Sequence, residues 1–344
     1  MSTVELRVVV PHNGVACLCA ARDGQWEVLT EAPGEPDARH VLSADGRYLA
    51  AMDRGNTRAG LFELLPDAPW TREMLPLAPL PNGCVGHAAL PMGDGLFVGG
   101  TGPNHEALWQ RTAAAESSWI TVPLPQEIMK RGKAVDGLHV LGDTLVVVDN
   151  IVTPKWLLLY GLSNPGLPAH RDTIRLPAHT TYERIIHSSL GASGLWCLSK
   201  GINHGVCSTH LWRLSLPDFQ QDAHWTARDV SHVAVPSVFD TPPASEDTSS
   251  AMSGLLSSLA AVEVEGRLLL ACGGRGLAMI ALGDRPDRSE DLIFLETPGF
   301  YTIDNLVLPS PWDGRGVFLV GEDKSGSITS RWLPTSELPA DREP

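Results

Sequence analysis

Along the chain, short apolar runs of four to seven residues alternate with turns rich in Gly, Asp, Asn and Pro, the pattern of β-strands joined by tight connections rather than of amphipathic helices. The stretch "HVLSADGRYLAAMDRGNTRAGLFEL", His40 to Leu64, shows the unit in full: a strand, a Ser-Ala-Asp-Gly turn, a second strand, a polar loop and a third strand. The same phrase recurs as "VVVPHNGVACLCA", "AALPMGDGLFVGG", "HVLGDTLVVVD", "SSLGASGLWCLSK", "AAVEVEGRLLLAC" and "LVLPSPWDGRGVFLVG". Second strands are predicted to start near Val15, Arg47, Gly95, Thr144, Gly194, Arg267 and Gly316, with steps of 32, 48, 49, 50, 73 and 49 residues. A period near 49 is a repeat, and a repeat of hairpins sets the architecture.

Third strands follow each polar loop, often with an aromatic residue: "GLFEL", "ALWQR", "KWLLLY", "HLWRLSL" and "SRWLP". Fourth strands follow in several units, as in "PWTREML", "SWITVPL" and "HWTARDV", whose tryptophans are expected to wedge between neighbouring units. Four antiparallel strands per repeat make the blade of a β-propeller. The chain is therefore expected to be all-β, a single β-propeller domain over residues 1–340 with seven four-stranded antiparallel blades, or six if the N-terminal strands complete the last one. The long step holds "VPSVFDTPPASEDTSSAMSGLL", Val235 to Leu256, expected to be a loop excursion. The short first step predicts a first blade lacking one strand.

"LSADGRYLAAMDRGNTRAGLFEL" resembles a WD-repeat blade, in which a Ser-x-Asp-Gly turn leads into an inner strand and a further strand ends in an aromatic and an acidic residue. The Trp-Asp dipeptide itself occurs only at Trp312-Asp313, inside a turn, and Gly-His precedes a first strand only at Gly86-His87. Gly99-Gly100 and Gly273-Gly274 resemble the kelch diglycine, without the aromatics that accompany it. The resemblance implies the propeller architecture and places the chain among divergent, bacterial-type propellers. It assigns no partner.

Composition narrows the function. A formal charge of −14 and the absence of any Lys/Arg cluster argue against a nucleic-acid partner. "MSTVELRVVVPHNG" lacks the features of a secretion signal, and no apolar run is long enough to span a bilayer. The expectation is a cytoplasmic protein with no membrane contact. Cys17, Cys19, Cys84, Cys197, Cys207 and Cys272 form no CxxC pair and are expected to be reduced core thiols.

In a propeller the loops between blades and those joining second to third strands share one face. On that face the sequence puts Asp53 and Arg54; Asn104, His105 and Glu106; Asp149, Asn150 and Lys155; Lys200 and His204; Arg275; Glu322 and Asp323. The segments between blades add Arg184 and Asp304, together with Asp37, His87 and Asp136. Asp149 and Asn150, closing "TLVVVD", are expected at the solvent-facing edge of their strand. All of these but Asp37, His87 and Asp136 form the candidate binding set. No catalytic residue, metal ligand or cofactor is expected, since no GxSxG elbow, P-loop, dinucleotide fingerprint or HExxH is present.

The expected function is a non-catalytic scaffold that recognises a protein or peptide partner through its loop-rich face. The alternative is a calcium-dependent, lactonase-like hydrolase at the tunnel mouth, with Glu106, Asn150, Asn203 and Asp304 as oxygen donors. A sialidase-like site fails because the Ser43–Gly46 turn is too short for an Asp box and occurs once. His204 and His210, each three residues from Cys207, give a conceivable zinc half-site, with ordinary loop residues the simpler reading.

Overall fold

The computed structural model describes residues 5–22, 25–35, 37–81, 83–103, 106–113, 118–125, 134–150, 155–162, 167–180, 182–203, 206–229, 258–282 and 292–339. The fold is all-β, a β-propeller of seven antiparallel sheets, each a meander of consecutive strands. Sheet one joins β1 (Arg7–His12), β2 (Val15–Arg22) and β3 (Gln25–Glu31). Sheet two joins β4 (Arg39–Leu42), β5 (Tyr48–Met52), β6 (Arg58–Leu64) and β7 (Thr71–Pro79). Sheet three joins β8 (Val85–Met92), β9 (Gly95–Thr101), β10 (Leu108–Thr112) and β11 (Ile120–Thr121). Sheet four joins β12 (Val135–Leu141), β13 (Thr144–Asp149), β14 (Trp156–Gly161) and β15 (Ala169–Arg175).

Sheet five is the most extended: β16 (Tyr182–Leu190), β17 (Gly194–Asn203), β18 (Val206–Ser215) and β19 (Gln221–Asp229) run to nine or ten residues each. Sheet six joins β20 (Ala260–Val264), β21 (Arg267–Ala271), β22 (Leu277–Ala281) and β23 (Leu292–Leu295). Sheet seven joins β24 (Asn305–Val307), β25 (Gly316–Glu322) and β26 (Ile328–Pro334). Among the described residues the first and last sheets thus have three strands, and the other five have four. The chain divides into two compact units, Met1–Leu176 with Val307–Asp313, and Pro177–Leu306 with Gly314–Pro344. The predicted excursion at 235–256 lies outside the described residues.

The predicted second strands are β2, β5, β9, β13, β17, β21 and β25, the second member of every sheet. Their near-continuous apolar runs follow from burial on both faces: Leu96 to Val98, Leu145 to Val148 and Leu268 to Ala271 are essentially inaccessible. The core lies between consecutive sheets. In the first unit, Ala88, Phe97 and Leu108 pack against Val135, Leu145 and Leu158. In the second, Trp196, Leu211 and Trp225 pack against Ala261, Leu268 and Ile280. The fourth-strand tryptophans behave as expected: Trp70 packs with Leu18 and Leu49 of the preceding and own sheets, and Trp225 with sheet six.

Two polar devices fix the turns. In the Ser-Ala-Asp-Gly turn the Ser43 hydroxyl donates to Asp45 at 2.5 Å and accepts from the Tyr48 N–H at 3.0 Å. Gly46 there has φ +68°, and a Cβ on it would stand 2.5 Å from the Ser310 carbonyl oxygen, so this position requires glycine twice over. In the second unit the buried Glu263 carboxylate on β20 accepts from Trp196 Nε1 at 2.8 Å and from the Ser193 hydroxyl at 2.6 Å, tying sheet six to sheet five.

Candidate functional site

The predicted site residues separate into three groups. The first serve their own loops. Asp53 accepts the N–H groups of Thr57 and Arg58, both at 2.7 Å, and the Thr57 hydroxyl at 2.9 Å; Arg54 reaches Asp37 at 3.7 Å. Asp323 accepts from the N–H of Ser325 at 2.7 Å, the Ser325 hydroxyl at 2.6 Å and the Ser327 N–H at 3.0 Å, and these bonds hold its carboxyl below the usual range. Asp304 accepts from the Thr302 hydroxyl at 2.9 Å. These are turn-forming carboxylates, with lone pairs occupied by local donors.

The second group is buried, which corrects the expectation of a solvent-facing edge. Asp149 is 4% exposed, Asn150 2% and Lys155 2%. The start of β12 and the residue before it cover Asp149 and Asn150: the Ala134 N–H donates to Asp149 Oδ1 at 3.4 Å, the Asn150 N–H donates to the Ala134 carbonyl at 2.8 Å, and the Asn150 side-chain amide donates to Asp136 Oδ2 at 2.6 Å. Asp136 also receives His87 Nδ1, and the Arg39 guanidinium donates to the His87 carbonyl. His87 and Asp136, 49 residues apart, are both the extra residue of a β-bulge, in β8 and β12 respectively. Bulges re-aim a side chain out of the ladder, and here they aim two neighbours of the repeat at each other.

The third group is accessible. Arg184 and Arg275 are exposed, and Glu106, Lys200 and Glu322 are half-buried. Burial pushes the Lys200 ammonium below its ordinary pKa. In the second unit, the Arg275, Asp304 and Glu322 loops come together through the backbone: Gly273 bridges Ile303, and the Tyr301 N–H donates to the Glu322 carbonyl at 2.7 Å. Asn104, His105 and His204 lie outside the described residues.

A cluster that sequence reading missed sits in the second unit. His179 precedes β16, His210 lies on β18 and His224 on β19. One ring nitrogen of each falls within 4.8 Å of the others, the one group of three or more His, Cys, Asp or Glu donors gathered this way among the described residues. His179 stacks on His224 with centroids 4.0 Å apart and on His210 at 4.9 Å. His210 Nδ1 meets His224 Nε2 at 3.1 Å, and His210 Nε2 meets the Ser208 hydroxyl at 2.9 Å.

Glu183, four residues after His179, stands behind the cluster. Its carboxylate accepts His179 Nδ1 at 3.2 Å, the His179 backbone N–H at 2.8 Å and the Ser199 hydroxyl, which in turn accepts Trp212 Nε1 at 3.3 Å. Burial raises the carboxyl, but the hydrogen bonds from His179 and Ser199 outweigh it and hold Glu183 at about 2. Burial, with His179 nearby, pushes His224 down to about 4. An ionised carboxylate thus orients the His179 ring, beside a His224 ring that is neutral at neutral pH.

The half-site of Cys207 with His210 does not form. Positions three apart on a strand face opposite sides of the sheet, so Cys207 is exposed while His210 is buried with Ser208. That parity was readable in the sequence. The partners of His210 were not, because they depend on the register that sets His210 diagonal to His224 across β18 and β19.

No family model matches this chain, and no curated protein matches it. Solved structures do. Sqt1 from Saccharomyces cerevisiae is similar with a TM-score of 0.54 at 9% identity, over 96% of this chain and 82% of its own. Candidate 6-phosphogluconolactonases from Bacteroides fragilis and Bacteroides uniformis each give 0.53 at 10% identity, over 96% and 97% of this chain and 94% and 96% of theirs. At such identities the likeness shows the fold, a β-propeller, and the fold alone.

Proposed function

We propose that the chain is a non-catalytic binding module of the cytoplasm that recognises a protein or peptide partner through exposed strand ends and loops of its second unit. One observation carries this reading. At the open end of sheet five Tyr182, Ile202 and Cys207 lie directly across from one another on one face, Tyr182 77% and Ile202 49% exposed. Two residues further in on the same face Arg184 opposes Lys200. An aromatic and an aliphatic side chain flanked by cations, on a rigid antiparallel sheet, is the composition of an interface anchor, and little ordering entropy opposes binding to it. Tyr301, 67% exposed beside Glu322, adds a second aromatic contact, and Arg275 and Asp304 supply polar rim groups. The six cysteines are all free, which fits a reducing compartment. No helix of the described residues is long and apolar enough to cross a membrane.

The hydrolase alternative draws less support. Asn150 is 2% exposed with its amide NH2 held by Asp136, and Asp304 accepts from its own loop. The test is quantitative affinity capture with wild type and with Tyr182→Ala and Ile202→Asp, followed by titration of each recovered partner as a purified protein. The reading expects a specific partner whose affinity falls at least about thirtyfold in the variants, as for loss of a central anchor. Partners bound equally by all three proteins, or calcium-dependent turnover of a lactone by wild type, would overturn it.

A further inference from the structure

We propose that His179, His210 and His224 form a binding site for a divalent transition metal of the zinc and copper class, with Glu183 holding His179 in place from behind. The site stands apart from the partner-binding reading and does not depend on it.

The donor set selects the metal. Three imidazoles with no thiolate and no directly facing carboxylate suit a borderline ion such as Zn²⁺ or Cu²⁺ and not the hard ions Ca²⁺ and Mg²⁺. The spacing is close to what such an ion needs. With bonds of about 2.0–2.1 Å in tetrahedral geometry, two ligating nitrogens stand about 3.3 Å apart. His210 Nδ1 and His224 Nε2 are already 3.1 Å apart. The third nitrogen lies within 4.8 Å; His179 is stacked on both other rings and has to turn out of that stack to ligate, from a position where its Nε2 meets Gln221 Oε1 at 3.2 Å at the exposed rim.

The surroundings select the tautomers. Glu183 takes the hydrogen of His179 Nδ1; Nε2 now faces the Gln221 oxygen and becomes a ligand when it turns from Gln221 carrying no hydrogen of its own. The Ser208 hydroxyl can take the hydrogen of His210 Nε2, which leaves Nδ1 as the donor. Such partners on the second ring nitrogen are the rule for metal-ligating histidines. In the metal-free protein one hydrogen lies between His210 Nδ1 and His224 Nε2. On binding, the metal takes its place and His224 carries its hydrogen on Nδ1 instead, so the His210–His224 pair loses no net proton. Three protein ligands leave a fourth position, at the Gln221 side.

The experiment uses the full chain freed of metal with a chelator and titrated with Zn²⁺ and, for its visible spectrum, Co²⁺. The expected results are one equivalent bound, a rise in Tm, and a cobalt absorption of four-coordinate, nitrogen-rich type. Affinity should fall more than tenfold in His179→Gln and in His224→Gln, and about 10–100-fold in Glu183→Gln, which removes no ligand. Since the wild-type spectrum alone reports the coordination, the result does not hinge on any variant folding. Absence of stoichiometric binding by wild type, an octahedral all-oxygen cobalt spectrum, or full affinity retained in the histidine variants would each overturn the proposal.

Discussion

The Asp136 network of the first unit and the histidine cluster of the second both bury polar side chains beside a sheet, yet they arise in opposite ways. His87 and Asp136 are the same bulged position of two consecutive first strands, so their meeting follows from the repeat. The histidines come from a connection, a third strand and a fourth strand of one sheet, and the repeat does not reproduce them. Ala59, Ala107 and Trp156 occupy the register place of His210 in sheets two to four, and Leu75 and Thr173 that of His224 in sheets two and four. Where a polar group recurs with the period it serves the scaffold. The three histidines break the period and gather ring nitrogens within 4.8 Å of one another.

The comparison predicts stability effects of graded size. The largest is Glu183→Ala, which strands the His179 and Thr180 backbone N–H groups, the Ser199 hydroxyl and His179 Nδ1 in a buried place. Loss of about 3 kcal/mol in urea unfolding is expected. Next is the acid limb of the metal-free protein. The folded pKa values of His224, about 4 against 6.5, and Glu183, about 2 against 4.5, both lie below the unfolded ones. The unfolded chain therefore binds more protons across these windows, and stability present above pH 6.5 is lost as pH falls first towards 4 and then towards 2. His224→Gln should abolish the first part, on the order of 2 kcal/mol, and leave the second.

Smaller effects are expected in the first unit. Gly46→Ala forces a Cβ against the Ser310 carbonyl at positive φ and should cost about 2 kcal/mol, read as a fall in urea midpoint at unchanged m. Asn150→Ala deletes one charge-assisted hydrogen bond to Asp136 and should cost about 1 kcal/mol. An unchanged midpoint for Asn150→Ala would show that Asp136 is satisfied without it.

How much was legible follows the same division. The hairpin phrase and its period located every second strand to within one residue, since strands buried on both faces must be apolar throughout, and β5 begins at Tyr48 where Arg47 was expected. The turn chemistry of Ser43 and Asp45 was equally local. What the sequence hid is cover. "TLVVVD" reads as a strand running out into solvent, and nothing near it announces that Ala134 and Asp136 will close over Asp149 and Asn150. The histidine cluster was hidden for a related reason: its members are brought together by strand register and a connecting segment, and no short-range spacing encodes that.

The central claim, that the recurring His87–Asp136 pair carries the scaffold and the non-recurring histidine cluster carries a ligand, is tested most directly by one paired measurement. Tm is recorded with and without Zn²⁺ for wild type, His87→Gln and the double variant His179→Gln/His224→Gln. The account predicts that His87→Gln loses basal stability but keeps the full zinc-induced shift, whereas the double variant loses the shift. A zinc shift retained by the double variant, or abolished in His87→Gln, would contradict it.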